Sequence, residues 1–510
     1  LVPFLVGSLH VMTTTSTSSI GDGMGTNSVG DSSTSLSPIT KSSQSSPTVA
    51  DDRTYTVHDA IESVGFGRFQ IILSAIAGFA WMADSMEIML LSIMSPSLEC
   101  EWGISSLEQA MTATAVFIGW MISSPIWGWF CDRYGRKKGL ILSALSGTVF
   151  GVATAFAPSY GVFIGIRTCV GLALGGIAQS ATLYTEFLPT KHRAGCIILL
   201  EVFWAIGAAI ESVVALVVMP LWGWRGLVAC SSVPLMIFVV CCFWLPESAR
   251  YHITRHETET ALGILERVAE YNRSELPKGE LVVEKGQHGK TSVSIRALLK
   301  GTQLKITLLV WTAWFVNAFS YYGMALYTTK FLQSTDECHG GGVEGVNATT
   351  SGCRHLTSDN YIDIVKTSFS ELPGLFFTFL IVERIGRKLT MGLQFVGFAA
   401  CNYILYFCMS HTLLVVILMF GRAFVAGAFQ TAYVYTPEVY PTPMRALGLG
   451  TASAWARAGA ILTPFVAQGI GQINIEYATL IYGTTGLIGA VASFFLPVET
   501  KGKGLSDVRE

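Results

Sequence analysis

Charge is what this chain has least of. Asp, Glu, Lys and Arg make up 13% of its 510 residues, against roughly 25% in an average soluble domain. Hydrophobic residues make up 51%, so there is too little polar surface to cover a core of this size, and a soluble fold is excluded. A net charge of −2 removes any global electrostatic case for nucleic acid as a partner. The eleven cysteines stand at no zinc-like spacing, which leaves no metal framework. H-E-x-x-H, G-x-S-x-G and the P-loop are all absent, so neither a membrane enzyme nor a bound cofactor has a motif to rest on. What the chain has instead is long apolar runs, the mark of a polytopic membrane protein.

Residues 1–54 differ in kind. More than half the residues from Thr13 to Thr48 are Ser or Thr, and the arm reads as disordered and cytoplasmic. Its opening, LVPFLVGSLHVM, is apolar but short, with no Lys or Arg before it, unlike a secretory signal.

A spanning helix needs about 20 mostly apolar residues. Such runs lie near 71–94, 107–130, 139–158, 161–183, 196–220 and 226–245, then near 304–327, 361–382, 390–408, 412–433, 446–469 and 476–497. The expected organisation is an N-terminal six-helix half (55–246), a cytoplasmic linker (247–303), a C-terminal six-helix half (304–498) and a short tail (499–510). The fold class is thus all-α membrane protein, with twelve transmembrane helices. Within the linker, ETETALGILERVAEYN reads as an amphipathic helix bracing the halves.

Lys and Arg gather after the even spans, as in RYGRKK, TKHR and ERIGRK, and are scarce after the odd ones. The positive-inside rule puts both termini and the linker in the cytoplasm. Asn347 then falls in an outward loop as a glycosylation sequon. Cys338 and Cys353 flank it and can close a disulfide in an oxidising compartment, with Cys100 as a rival partner.

The chain repeats itself. FCDRYGRKKG and IVERIGRKLT place Asp132 and Glu383 251 residues apart (383 − 132), and LPESARY and LPVETKG begin 251 apart (496 − 245). Glu186 to Glu438 and Arg193 to Arg445 each differ by 252 (438 − 186, 445 − 193). A duplicated six-helix unit is the arrangement expected of a transporter whose halves rock about a central site. Arg167 and Arg422 depart from that register by three residues (422 − 167 = 255) and are not read as equivalents.

The stretch from Gly128 through Asp132, Arg133, Gly135, Arg136 and Lys137 resembles the signature of the major facilitator superfamily. LPESAR and PVETKGKGL resemble signatures of its sugar-porter and organic-ion branches. GFGRFQ, WMADSMEIMLLSI and YVYTPEVYPTPMRALGLGT resemble the synaptic vesicle 2-related proteins and their "like" relatives. The resemblance implies two pseudo-symmetric halves and transport by alternating access, in a vesicle or plasma membrane. It also makes a cytoplasmic gate of Gly128, Asp132, Arg133, Gly135, Arg136, Glu186, Arg193 and Glu247 in the first half. Glu383, Arg384, Arg387, Glu438 and Arg445 are its repeat. Gly128 allows close helix approach, Gly135 suits a left-handed position, and Asp132 can accept from a helix N-terminus across the cleft. The cations then pair with Glu186 and Glu247 and latch that side shut.

An ionisable group inside the bilayer costs roughly 2.5–3.5 kcal/mol even on the lenient scale, so each is a functional candidate. Asp84 and Glu87 share a face of the first span. Glu211 lies in the fifth, Glu371 in the eighth and Arg457 in the eleventh; with Asn317 and Tyr321 of NAFSYYG they form the candidate substrate and coupling cavity. Trp81, Gln179, Trp204, Tyr322, Gln430 and Tyr433 add a polar and aromatic lining. Glu201 and Lys366 lie near span ends, where a charge can snorkel, and Arg167 and Arg422 open their spans on the outer side, where an interfacial or gating role and substrate contact are equally open. In related organic-ion carriers the position of Arg457 carries Arg for anions, while the carboxylates favour a cation or a proton as coupling ion. A proton-coupled carrier of a small organic anion or zwitterion reconciles both. The rival reading is a carrier fold that no longer transports and binds a ligand or partner in a vesicle membrane. Two intact charged turns and a charged cavity argue against it.

Overall fold

The computed structural model describes residues 54–283, 295–334, 356–471 and 474–501. The expectations for Asn347, for the Cys338–Cys353 bridge, for the arm before Thr54 and for most of the tail lie outside these residues. The chain divides into two compact units, Leu1–Tyr55 with Lys278–Glu280, and Thr56–Pro277 with Leu281–Glu510. The second holds the helices described below.

Inside a bilayer the backbone must satisfy its own hydrogen bonds, which leaves helices as the form open to these runs. A short amphipathic helix, α1 (Val57–Val64), precedes the first span, α2 (Arg68–Trp102). That span is longer than the apolar run required, and it stops where Gly103 takes φ 60°. The second span, α3 (Ser106–Tyr134), opens on a capping box in which Ser105 and Glu108 exchange bonds, and α4 (Arg136–Thr154) is the third. The fourth joins α5 (Tyr160–Ile177) to α6 (Gln179–Glu186). The fifth and sixth run through α7 (Thr190–Ser231), broken at Gly223 with φ 64°, and α8 (Val233–Cys242). The linker carries α9 (Ala249–Ile253), the expected amphipathic helix α10 (Thr258–Asn272) and α11 (Ile295–Leu298).

In the second half α12 (Gly301–Ser334) is the seventh span, and α13 (Ser358–Phe369) with α14 (Glu371–Ile385) the eighth. Then come α15 (Arg387–Ile404) and α16 (His411–Val439). The eleventh span is α17 (Thr442–Pro464), which widens into a π-turn at Phe465–Ile470, and the twelfth is α18 (Ile475–Phe494). Twelve spans in two sets of six are thus present among the described residues.

Seven helical stretches are apolar and long enough to cross a membrane by composition alone, and one of them, Thr190–Cys242 with 53 residues, holds two spans. The other four spans, α4, α12, α15 and α17, carry more polar residues. Two of them, α12 and α17, bring Asn317 and Arg457 to the centre, which is why their hydropathy is weaker.

The hydrogen bonds and ion pair that join the halves among the described residues run from the middle of the bundle to the side away from the two charged turns. Ser92 donates to the Ala325 carbonyl at 2.6 Å, Thr114 to the Ile461 carbonyl at 3.2 Å, and Gln468 to Ser95 at 3.2 Å. Ser212 and Ser368 share a bond of 2.9 Å, and Lys330 pairs with Glu99 at 3.3 Å. This far side is closed. Cys100 and Cys408, both on it, each take part in a disulfide.

Candidate functional site

At the charged turns the two halves repeat one design. Gly135 has φ 112° and Gly386 φ 97°, a region open mainly to glycine. The positive φ lets a new helix start at once, and a carboxylate from the end of the half caps it. Glu247 accepts from the amides of Arg136 at 2.7 Å and Lys137 at 3.2 Å, and Glu499 from those of Arg387 at 2.9 Å and Lys388 at 3.1 Å. Arg136 pairs with Asp132 at 2.7 Å and Glu186 at 3.6 Å; Arg387 pairs with Glu383 at 2.9 Å and Glu438 at 3.1 Å.

Three expectations are corrected here. Asp132 does not meet a helix N-terminus across the cleft: Glu247 takes that place, because Asp132 is drawn to Arg136 one turn on. Gly128 is not needed for close approach, since a Cβ there would meet its nearest neighbour, Gln179, at an ordinary 3.8 Å. The charged contacts also lie within each half rather than across the cleft. Arg133 enters through its carbonyl, which accepts from Tyr251 at 3.4 Å and from Arg255. The Arg384 carbonyl likewise accepts from Lys501. Arg193 donates to the Leu188 carbonyl at 3.2 Å, while buried guanidinium nitrogens of Arg193 and Arg445 have no partner. Glu499 was missed, although its offset of 252 from Glu247 (499 − 247) carried the signal.

A Cβ at Gly386 would lie 2.7 Å from the Glu499 carboxyl. Gly386→Ala is therefore expected to combine that clash with strain at positive φ, lowering stability by about 1–3 kcal/mol. A thermal melt checks this, and Gly263→Ala on exposed α10, where a Cβ meets nothing within 4 Å, is the contrast. Nearby, Glu62 of α1 accepts from the Thr190 amide at 2.6 Å and from its hydroxyl. Burial works to raise this carboxyl, but the two Thr190 bonds outweigh it and hold it below its ordinary range.

At mid-membrane the structure sorts the charges into pairs and singles. Arg167 of α5 is fully buried and pairs with Glu87 of α2 at 2.6 Å. Arg422 of α16 pairs with Glu371 of α14 at 2.6 Å, and both are buried. This corrects the outer, interfacial placement of both arginines. It also gives them matching parts despite their three-residue departure from the repeat. Each sits a turn or more inside its helix, where a close carboxylate partner offsets part of the cost of dehydration.

Asp84 and Glu87 share a helical face as expected but not a partner: one Asp84 oxygen is buried and unbonded. Glu201 is also buried with an unbonded oxygen, which corrects the snorkelling reading. The helix begins at Thr190, so Glu201 stands three turns in. Lys366 does behave as an end-of-span charge, half-exposed and paired with Asp363 at 2.8 Å. Glu211 accepts from Ser231 at 2.6 Å inside the first half.

Arg457 of α17 donates to the Ser453 hydroxyl at 2.6 Å and lies 4.9 Å from the centre of the Trp120 ring, in the other half. Tyr321 of α12 donates to both Glu371 oxygens, at 3.1 and 3.2 Å, and accepts from Trp204 of α7 at 2.7 Å. Around them Trp81 lies 6.1 Å from Trp204 and 6.3 Å from Tyr433 between ring centres. Asn317 is fully buried, and neither its amide nitrogen nor its oxygen has a partner. Buried polar groups are nearly always satisfied. Here Trp81, Asp84, Trp120, Glu201, Asn317, Ser320, Gln430 and Arg457 each leave a buried polar atom unbonded. Among the described residues no group of three or more His, Cys, Asp or Glu could hold a metal.

Twelve helices in two halves, with polar groups turned inward where the halves meet, define a major-facilitator membrane transporter. The chain belongs to the sugar (and other) transporter family, whose model matches residues 66–510. It is 49% identical to the putative transporter svop-1 of Caenorhabditis elegans, over 89% of this chain and 88% of that one. To the synaptic vesicle 2-related protein of Bos taurus it is 47% identical, covering 89% and 83%. To the organic cation/carnitine transporter 7 of Arabidopsis thaliana it is 35% identical, covering 90% and 97%. The partially occluded, inward-open xylose transporter XylE of E. coli shares the fold, with a TM-score of 0.66 at 18% identity over 86% of this chain and 99% of that one.

Proposed function

We propose that the chain is a secondary-active carrier of a small organic ion, a zwitterion above all, working by alternating access and coupled to protons. The observation that carries this reading is the set of buried, unbonded polar atoms contributed by both halves at mid-membrane. A transported ion would satisfy them, and a scaffold protein would have no use for them.

The charge balance supports a dipolar substrate. Glu87 with Arg167 and Glu371 with Arg422 cancel as pairs. Asp84, Glu201 and Arg457 remain beside an aromatic wall. Arg457 suits a carboxylate, and the two carboxylates with the indoles of Trp81 and Trp204 suit an ammonium group. The relative named for organic cations and carnitine fits a substrate of this kind. The coupling proton would be carried by a buried carboxylate of this site, Glu87 when substrate parts it from Arg167, or the unpaired Asp84 or Glu201. We also take the charged turns and both termini as cytoplasmic, with the far side facing the outside or a vesicle lumen. The clustered Lys and Arg support this, as do the disulfide-bonded Cys100 and Cys408.

The test is thermal stabilisation of purified protein by carboxylates, alkylammonium ions and betaines. A betaine is expected to stabilise the wild type most. Arg457→Asp is expected to lose at least tenfold in betaine affinity, about 1.4 kcal/mol, while keeping any alkylammonium response. Stabilisation that ignores Arg457→Asp overturns the dipolar reading, and no stabilisation by any member favours a carrier fold that only binds a partner.

A further inference from the structure

The two buried ion pairs are not alike in what they touch. Glu87, Arg167 and Met94, whose sulfur lies 3.8 Å from Arg167, all belong to one half. The Glu371–Arg422 pair is held from both. Arg422 reaches the sulfur of Met89 in α2 at 3.5 Å, and Glu371 receives Tyr321, which accepts from Trp204 in α7. Three residues before Glu371, Ser368 bonds Ser212 of α7 as part of the far-side seal. On its own side α14 is pinned to α16, because Gly374 leaves no room for a Cβ against the Ala423 backbone, 2.8 Å away.

We propose that Glu371 and Arg422 are the pair that holds the far side closed, with Tyr321 as the positioning residue that ties them to the first half. This rests on reading the chain as an alternating-access carrier. When the halves part on the far side, Met89 and Trp204 withdraw, and water can satisfy whatever they leave. While they are together, one hydroxyl accepts from the indole N–H of Trp204 and donates to the Glu371 carboxylate. Removing it leaves the half-buried Trp204 donor and one buried Glu371 oxygen unsatisfied in the closed state and costs little in the open one, so the balance moves toward opening. The same hydroxyl lies in the aromatic wall of the proposed substrate site, so a substrate resting on Trp204 or Tyr321 acts on the closure directly. The Glu87–Arg167 pair, confined to one half, has no such leverage.

The test needs no substrate. Ala325 is buried within the far-side seal, on α12. In the full chain carrying Ala325→Cys, the rate of reaction with a membrane-impermeant maleimide, presented to the face opposite the charged turns, reports far-side opening. Tyr321→Phe, which keeps the ring and its contacts, is expected to raise that rate roughly five- to tenfold. Glu371→Gln is expected to raise it further, because Arg422 then has no counter-charge. Tyr327→Phe, which removes a buried hydroxyl bonded to Asn402 within the second half, is expected to leave it at the parent rate. Parent-rate labelling in both Tyr321→Phe and Glu371→Gln overturns the proposal while the carrier reading stands. An equal rise in Tyr327→Phe also overturns it, by showing general loosening. Labelling absent from every variant overturns the carrier reading, and the proposal with it.

Discussion

Arg167→Leu is expected to be among the most damaging single changes in the first half. Arg167 is fully exposed to protein and not at all to solvent, and its removal leaves the Glu87 carboxylate buried with no counter-charge, three residues from a second buried carboxylate, Asp84. Breaking a buried pair in this way costs about 3–5 kcal/mol, because the surviving charge is left dehydrated and unpaired. The same principle sets the control. Glu87→Gln with Arg167→Leu removes both charges together, and most of the lost stability is expected to return. Transport is expected to stay absent in the double variant if Glu87 carries the coupling proton. Thermal melts and size-exclusion profiles in detergent check the stability, and substrate-driven uptake in proteoliposomes checks the coupling. A single variant as stable as the wild type would mean that Glu87 is not charged beside Arg167.

Much of this was legible in the sequence because it repeats. The offset of 251–252 residues tied Gly135, Arg136 and Glu186 to Gly386, Arg387 and Glu438, and the structure builds the same turn from each set. Repetition failed as a guide at Arg167 and Arg422, whose offset of 255 (422 − 167) hid that each is buried against a carboxylate. Their carboxylates come from non-equivalent helices, the first span in one half and the eighth in the other, so no register could have matched the pairs. Burial was legible only where hydropathy was high. Glu201 looked like an end-of-span charge because its neighbours LPTKHR are polar, yet α7 runs unbroken from Thr190 and carries Glu201 to the centre. Helical spacing placed Asp84 and Glu87 on one face correctly. It could not tell which of them would meet Arg167, since that depends on how α2 packs against α5, a contact between residues 80 positions apart.

Asn317→Leu is expected to separate stability from function in the opposite sense to Arg167→Leu. An asparagine amide offers two donors and two acceptor positions, and at Asn317 all are buried without a partner. Leaving an amide in that condition costs about 1–3 kcal/mol on the scale of protein variants. Leucine has nearly the same size and shape and no polar atoms, so the ligand-free protein is expected to gain up to about that amount. The gain identifies what the wild type keeps in reserve. A polar group left unsatisfied at the meeting point of the halves has a use only when something arrives to satisfy it, and Ser320, a turn further along α12, is in the same condition. Substrate-dependent stabilisation and transport are therefore expected to disappear in Asn317→Leu while the melt of the empty protein moves up. Asn317→Ser, which keeps a hydroxyl in a smaller volume, is expected to retain part of the binding. If the leucine variant instead melts lower than wild type, Asn317 is serving the packing of α12 against α17. The substrate site would then have to be rebuilt around Arg457, Asp84 and Glu201 alone.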